Sequence, residues 1–586
     1  MSPENESFEL NTDHTNRALV GYFAILLLIC VLMGFYCSML NRQLYQHQSP
    51  FFDSVSYHQK MYRVMLKTQE VGLLSGLSAA CFDSTTVCLP FVLAALLALV
   101  CEPDRLVGVW IQVGYLFIFL SSFFYLAVNV KGVKPRTGVF ACLAFLCAGC
   151  LFYENGGMSD FRMDMILCLM FGTTAMCYLI AMSKPTWWHF VLLGIAGGAC
   201  CLSRGTAPVY LLITFGPLVF VELILIAAQR RKKMVGVCLA GAIAAASSLW
   251  FYLLNYEYLH FYYCVWNTDA NAKLSLWESM GHLKMVRRSI GNPLMLLAVT
   301  WFVCLTHYWR VQPEEGEEDR GSNLAVGWGR LGWRAFEAMK SPSVDLRLLW
   351  IGVCPLAMLI GRGAGMNPFV SMPAVIGLIA FVVLPLLHQQ ERVERKWVAQ
   401  VFQVSLLICF ALAAVRGFDR HNQFAFNQME AHQAILDNII SDSLERDFKK
   451  VKFGTTHISE TFTESLMAAM IFDRAGCKPG VGHGVVDGVR FQGIWTFNKP
   501  AVANWERVPG DSDQKKLDHL YEEATVIADY LVVPDGPSAK WLEKNRGHNI
   551  INLYQTALRE RIRSHWTRVG ARIQTSDHEH VEIYRR

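Results

Sequence analysis

The sequence predicts a polytopic α-helical membrane protein of about 11 transmembrane helices, followed by a C-terminal extracytoplasmic α/β domain. Three observations predict this class. Hydrophobic residues make up 53% of the 586-residue chain against 17% charged, and apolar runs near bilayer thickness recur up to about residue 415. Lysine and arginine collect in alternate loops, as cytoplasmic loops do. Residues 417–586 then lose the apolar runs and mix strand-like with helix-like segments.

Residues 1–17 are polar and read as a cytoplasmic tail. The first run, 18–40, spans a bilayer and lacks a small-residue cleavage site, so it is a retained span and not a signal peptide. Further spans are expected near 107–129, 138–154, 164–182, 187–203, 208–228, 235–254, 291–308, 347–361, 370–387 and 398–415. The run 87–101 (VCLPFVLAALLALVC) decides the topology. It is short, contains Pro90 and is followed by CEPDR. If it crossed, the basic loops KGVKPR (131–136), QRRKK (229–233) and QQERVERK (389–396), with the charged loop 309–346, would fall outside. They fall in the cytoplasm if 87–101 is a re-entrant or surface-lying helix, and that reading is adopted. The amino terminus is then inside and the carboxyl terminus outside, with outer segments 41–106, 155–163, 255–290 and 362–369. The membrane domain covers 18–416 and the outer domain 417–586.

In the outer domain VKFGTTH (451–457) and ADYLVVPD (528–535) read as strands, TFTESLMAAMIFDRAG (461–476) as an amphipathic helix, and the closing VGARIQTSDHEHVEIYRR as a hairpin. Most of the 18 cysteines fall inside apolar spans, where Cys packs as a small hydrophobe, and no CxxC or zinc-type Cys/His spacing occurs. A net charge of +5, largely in loops, is too small to imply nucleic acid.

Two acidic patches, FFDSVSYHQKMY (51–62) and GGMSDFRMD (156–164), adjoin spans on the same outer face. Asp53 opens a helix suited to lie on the bilayer, with Tyr57, Lys60, Tyr62 and Arg63 along it. Its carboxylate reads either as a general base for an incoming hydroxyl or amine, or as a helix cap. Asp160 and Asp164 flank Arg162. At i, i+4 they are expected on one helix face, where they would orient an acceptor, hold Asp53, share a divalent cation with it, or cap the helix. An ionisable residue at membrane depth favours function. Arg204 (CLSRGTAP), Lys284, Arg287 and Arg288 (HLKMVRRS) and Arg362 (IGRGAG) form a third group. They suit phosphate carried on lipid, or plain snorkelling to headgroups. Aromatics crowd 255–290, as a sugar platform or an interfacial belt.

This order of elements resembles the GT-C superfamily of membrane glycosyltransferases, nearest in pattern to the protein O-mannosyltransferases and the aminoarabinose transferases. The carrying features are a first span followed by Asp53-x-x-x-Tyr57, the short apolar helix 87–101, the second acidic site at Asp160 and Asp164, and basic residues near later outer span ends. The resemblance covers roughly 18–416. Two departures stand out: relatives often have Asp-Glu where this chain has Asp53-Ser54, leaving the second acid to Asp160, and CFDSTTVCLP replaces a Lys-Pro-Pro element before the surface helix. The resemblance implies an inverting glycosyltransferase with a polyprenyl-phosphate sugar donor and a glycan, lipid or protein acceptor. Asp53 would be the base and Asp160 would orient the acceptor, with Arg204 and the 284–288 cations on the leaving phosphate. It implies an inner (cytoplasmic) membrane location and no certain cofactor; a divalent cation is used by some members and not by others. A transporter or flippase, or an assembly scaffold, are the competing readings. The first predicts repeat-related half-helices, which the sequence lacks, and the second leaves the three carboxylates without a role.

Overall fold

A computed structural model gives the fold. It describes residues 4–47, 52–82, 86–153, 156–224, 230–260, 275–292, 294–295, 298–299, 344–362, 371–392, 396–422, 428–456, 485–486, 489–493, 510–535, 548–576 and 579–586. The amphipathic helix expected at 461–476, most of the span expected at 291–308 and the aromatics 261–266 lie outside these residues.

The chain begins with α1 (Glu4–His47), whose apolar part is Leu19–Leu44. Three helices of the first outer segment follow: α2 (Phe52–Val71), α3 (Leu73–Cys81) and α4 (Leu89–Leu97). At about 1.5 Å per residue, the nine residues of α4 reach less than half of a bilayer core, so the 87–101 run does not cross. Pro90 in its first turn starts it and costs no hydrogen bond there.

Next come α5 (Leu106–Tyr125, prolonged by a π turn to Val130), α6 (Pro135–Leu146), α7 (Met163–Ser183), α8 (Trp187–Cys201), α9 (Ala207–Ile224) and α10 (Arg230–Leu254). The short helices α11 (Tyr256–His260), α12 (Leu276–Ser279) and α13 (Gly281–Ile290) precede α14 (Val344–Arg362), α15 (Met372–Arg392) and α16 (Lys396–Asn422). Helix α7 is apolar on every side and 94% buried, the expected fate of a helix without a polar face. It packs against α5, α8 and α15, with lesser contacts to α9 and α14.

The chain is a polytopic α-helical membrane protein, but its spans are less uniform than the sequence suggests. Among the described residues five helices are long and apolar enough to cross: Leu19–Leu44, Leu106–Val130, Met163–Ser183, Arg231–Leu254 and Val344–Arg362. Pro135–Leu146, Trp187–Cys201, Ala207–Leu223 and Met372–Leu384 are shorter apolar helices. The run expected as one span at 138–154 is a correction: α6 stops at Leu146, and Gly149–Phe152 is a 3-10 turn. The cause is a close crossing. Helix α13 ends at Gly291, with φ +91, and a Cβ on Gly149 would lie 3.0 Å from the Arg288 carbonyl oxygen and 3.4 Å from the Gly291 Cα. Only two glycines let these backbones meet.

Charges mark one end of the bundle. Lys131 donates to both Asp345 oxygens at 2.8 Å. Glu222 binds Lys233 at 3.1 Å and also pairs with Arg347. The last turns of α5 and α9 are thereby tied to the first turns of α10 and α14. The basic residues 131–136 and 230–233 lie at this end, as does the start of α14. The acidic turn lies at the other.

Beyond α16, helix α17 (Gln428–Glu445) leads to a six-stranded sheet of order β2-β3-β1-β4-β6-β5. The strands are β1 (Lys450–Thr455), β2 (Val485–Val486), β3 (Val489–Gly493), β4 (Tyr530–Pro534), β5 (Thr567–Ser576) and β6 (Glu579–Arg585), with helices α18 (Asp513–Ile527) and α19 (His548–His565). β1 lies parallel to β3 and β4, and β5 and β6 form the antiparallel hairpin read from the alternating sequence. β4 is buried at every position, as a central strand covered on both faces must be.

The two ion-pair sites predict different costs. Glu222 is 1% exposed and Asp345 30%. Glu222→Ala leaves two buried cations uncompensated and should destabilise by about 3–5 kcal/mol. Asp345→Ala should cost about 0–1 kcal/mol. Unfolding in bicelles measures both.

Candidate active site

The site is built on the turn between the 3-10 segment and α7. Gly156–Asp164 is buried throughout, so its backbone must find partners inside the protein. The Met158 N–H donates to the Leu151 carbonyl (2.8 Å), and the Asp160 N–H to that of Gly157 (3.2 Å). Gly157 is required by crowding: a Cβ there would sit 2.3 Å from the Tyr153 carbonyl oxygen. Four other elements are bound to the turn. Asn41 of α1 donates to the Ser159 carbonyl (2.7 Å), and Gln112 of α5 donates to that of Asp160 (2.9 Å). Ser54 of α2 donates to Asp160 Oδ2 (2.6 Å), and the Ser159 hydroxyl meets His421 Nε2 of α16 (2.8 Å). His421 Nδ1 lies 2.6 Å from the Gly417 carbonyl, which can only accept. Nδ1 therefore carries the hydrogen toward Gly417, and in that tautomer of a neutral ring Nε2 accepts from Ser159.

Asp160 is 2% exposed, and its Oδ2 also takes the Gly156 N–H at 2.8 Å. A buried carboxylate needs such donors to stay ionised. Asp160 and Asp164 do not share a helix face. Arg162 is extended (φ −128, ψ 140) and α7 begins at Met163, so Asp160 belongs to the turn and only Asp164 to the helix. The i, i+4 expectation fails because the chain is hydrogen-bonded as a turn up to Asp160.

Asp164 bridges two cations: its Oδ2 is 3.3 Å from Arg162 Nε and its Oδ1 3.2 Å from Arg204 Nη2. Arg204 Nη1 donates to the Tyr57 hydroxyl at 2.7 Å. Arg362, the last residue of α14, acts electrostatically on Tyr210 together with Arg204 and Asp164.

Asp53 is the second residue of α2, next to Ser54, and its side chain lies outside the described residues. The α2 residues divide by face. Arg63 is exposed and is not gathered into the site. His58 is buried between Tyr62 and Phe161, and burial pushes its pKa down to about 3, so the ring stays neutral. Lys60 turns inward: its ammonium donates to the Thr86 carbonyl (3.2 Å) and hydroxyl (3.1 Å), 4.6 Å from the Phe91 ring centroid. It thus delivers a lysine just before the α4 surface helix, where the sequence itself has none.

The 284–288 cations lie elsewhere. Lys284, Arg287 and Arg288 line a cavity of about 420 Å³ with Arg416 and Arg420, over Gly149, Phe152 and Asn292; Arg204 takes no part in it. Arg416 and Arg420 escaped the sequence reading. They stand in RGFDRHN, at the end of the last span, where they read as a boundary between domains. Ser54, Asn41, Gln112 and His421 were missed because nothing local marks a polar residue whose partner is far along the chain. Among the described residues no three His, Cys, Asp or Glu side chains converge as metal ligands.

No protein-family model matches the chain, and no curated protein matches it in sequence. Among solved structures it is similar to ArnT from Cupriavidus metallidurans in the apo state, with TM-score 0.56 and 11% identity over 97% of this chain and 98% of that one. The same ArnT bound to undecaprenyl phosphate aligns with TM-score 0.54 and 10% identity over 95% and 97%. Arabinofuranosyltransferase AftD from Mycobacteria aligns at TM-score 0.44 and 12% identity, over 97% of this chain and 41% of that one. The chain therefore has the fold of ArnT along nearly its whole length.

Lys60 gives the site a pH signature. Enclosure of its ammonium, with Arg63 nearby, holds its pKa at about 7, whereas the unfolded side chain titrates near about 10.4. Between these values the unfolded chain holds the extra proton, so stability should rise with pH across that window. Below about pH 7 both states are protonated and the penalty is complete. Lys60→Met should flatten the rise, as read from unfolding midpoints at about pH 6, 8 and 9.5.

Proposed function

We propose that the protein is an inverting glycosyltransferase that moves a sugar from a polyprenyl-phosphate donor to a glycan, lipid or protein acceptor. It would act at the outer face of the inner (cytoplasmic) membrane, with the amino terminus inside and the sheet-bearing domain outside. The observation that carries this reading is the hydrogen bond from Ser54 to Asp160. It joins a buried carboxylate to Ser54, the position where relatives by resemblance carry a second acid after the base, and so supports Asp53 in that role. The shared fold with ArnT, solved with undecaprenyl phosphate bound, supports the donor class.

Asp53 accepts the proton of the acceptor hydroxyl or amine as its oxygen or nitrogen attacks the anomeric carbon. The bond from that carbon to the phosphate oxygen breaks, and lipid phosphate departs carrying the electron pair. Arg204, steadied by Asp164 and Tyr57, and Lys60 meet the charge that develops there, and prepositioned cations act strongly where water is excluded. Asp160 positions the start of α2 and, with it, Asp53. Asp164 serves as counter-ion to Arg162 and Arg204 and not as a base, because both its oxygens are already engaged. No step is assigned to a metal ion.

Transfer from a labelled polyprenyl-phosphate sugar by the purified chain tests the reading. Asp53→Asn should lower the rate by about 10²–10⁴ without unfolding the protein, and a wild-type rate lost in chelator would assign a divalent cation to the acidic residues. A variant as active as wild type would make Asp53 a helix cap. No transfer across a broad donor panel would favour a transporter or scaffold.

A further inference from the structure

The 284–288 cations were expected to share one phosphate with Arg204, yet they face a different cavity. Five cationic side chains, Lys284, Arg287, Arg288, Arg416 and Arg420, converge there from α13 and α16, and among the described residues no carboxylate lines it. Its volume falls in the range of small-molecule sites, about 300–1,000 Å³. Two of the arginines are held in place: Arg288 and Arg420 each lie with Cζ 5.6 Å from the Tyr153 ring centroid, and the Tyr153 hydroxyl is 3.2 Å from Ser289 Oγ. Guanidinium groups packed on an aromatic ring keep N–H donors free for a forked phosphate contact. By contrast, Arg204 and Arg162 share the neutralising Asp164.

The buried turn joins the two places and keeps them apart. Tyr153, which packs on Arg288 and Arg420, precedes it; Ser159 meets His421, next to Arg420 in α16, and Ser54 of α2 donates to Asp160. Inversion places nucleophile and leaving group on opposite faces of the anomeric carbon. If the donor phosphate leaves toward Arg204, the cavity beyond the turn is open to another anion.

We propose that this cavity is a second anion site, taking a phosphate-bearing group other than the donor's. The assignment of the donor to the Arg204 side rests on the function proposed above; binding of phosphate in the cavity does not. Its source is either a phosphorylated acceptor or a phospholipid headgroup.

The test is binding, not turnover. Inorganic pyrophosphate is titrated into the full chain in zwitterionic nanodiscs, with and without saturating polyprenyl phosphate. Wild type should bind pyrophosphate with an affinity that falls as salt rises and that polyprenyl phosphate changes by less than about twofold. Arg288→Gln with Arg420→Gln should weaken pyrophosphate by about tenfold per arginine and leave polyprenyl phosphate bound as before. Lys284→Gln, on the exposed face of α13, gives a milder loss and keeps the test valid if the double variant misfolds. In discs containing anionic phospholipid, an undiminished pyrophosphate affinity supports the acceptor as source, and a lost one supports the headgroup. Pyrophosphate affinity unchanged by all variants overturns the site. Competition by polyprenyl phosphate, with both ligands lost in the variants, overturns its separateness and makes it the donor's phosphate site, whether or not the chain transfers sugar.

Discussion

A buried turn must satisfy its own backbone, and here that requirement organises one end of the helix bundle. Gly156–Asp164 lies inside the protein, so each polar group in it needs a partner that water cannot replace. Those partners come from α1, α2, α5 and α16, between 48 and 262 residues away along the chain. The Asp160 carboxylate is the most demanding member. A buried anion without donors costs several kcal/mol, and Ser54 and the Gly156 N–H remove much of that cost. The start of α2 is tied to the turn by the bond from Ser54 that helps satisfy Asp160.

The same turn separates two kinds of cationic surroundings. On the α7 side, Asp164 sits between Arg162 and Arg204, so the positive charge is partly cancelled and its geometry is set by the carboxylate and Tyr57. On the α13 and α16 side the cations meet an aromatic ring instead. The crossing of Gly149 and Gly291 brings α13 close enough for this.

How much of this was legible depended on the range of the signal. Apolar runs and alternating basic loops carry their information locally, so the membrane class and the non-crossing nature of 87–101 could be read directly. The β5–β6 hairpin was legible for the same reason, since its alternation is contiguous. The span expected at 138–154 was not, because α6 is cut short by a contact between Gly149 and Gly291 that no local pattern announces. Asp160 and Asp164 are both buried, but their relation was misread. Spacing of four implies a shared face only inside a helix, and the helix starts after Asp160. Ser54, Arg416 and Arg420 acquire meaning only from partners distant in sequence.

The account stands on the hydrogen bond between Ser54 and Asp160. A double-mutant cycle with Ser54→Ala, Asp160→Asn and their combination, read as unfolding free energy in bicelles, measures it directly. A buried bond to a carboxylate predicts a coupling of about 1.5–3 kcal/mol. Additivity within about 0.5 kcal/mol would mean that the turn does not hold α2, and the placement of Asp53 would lose its basis.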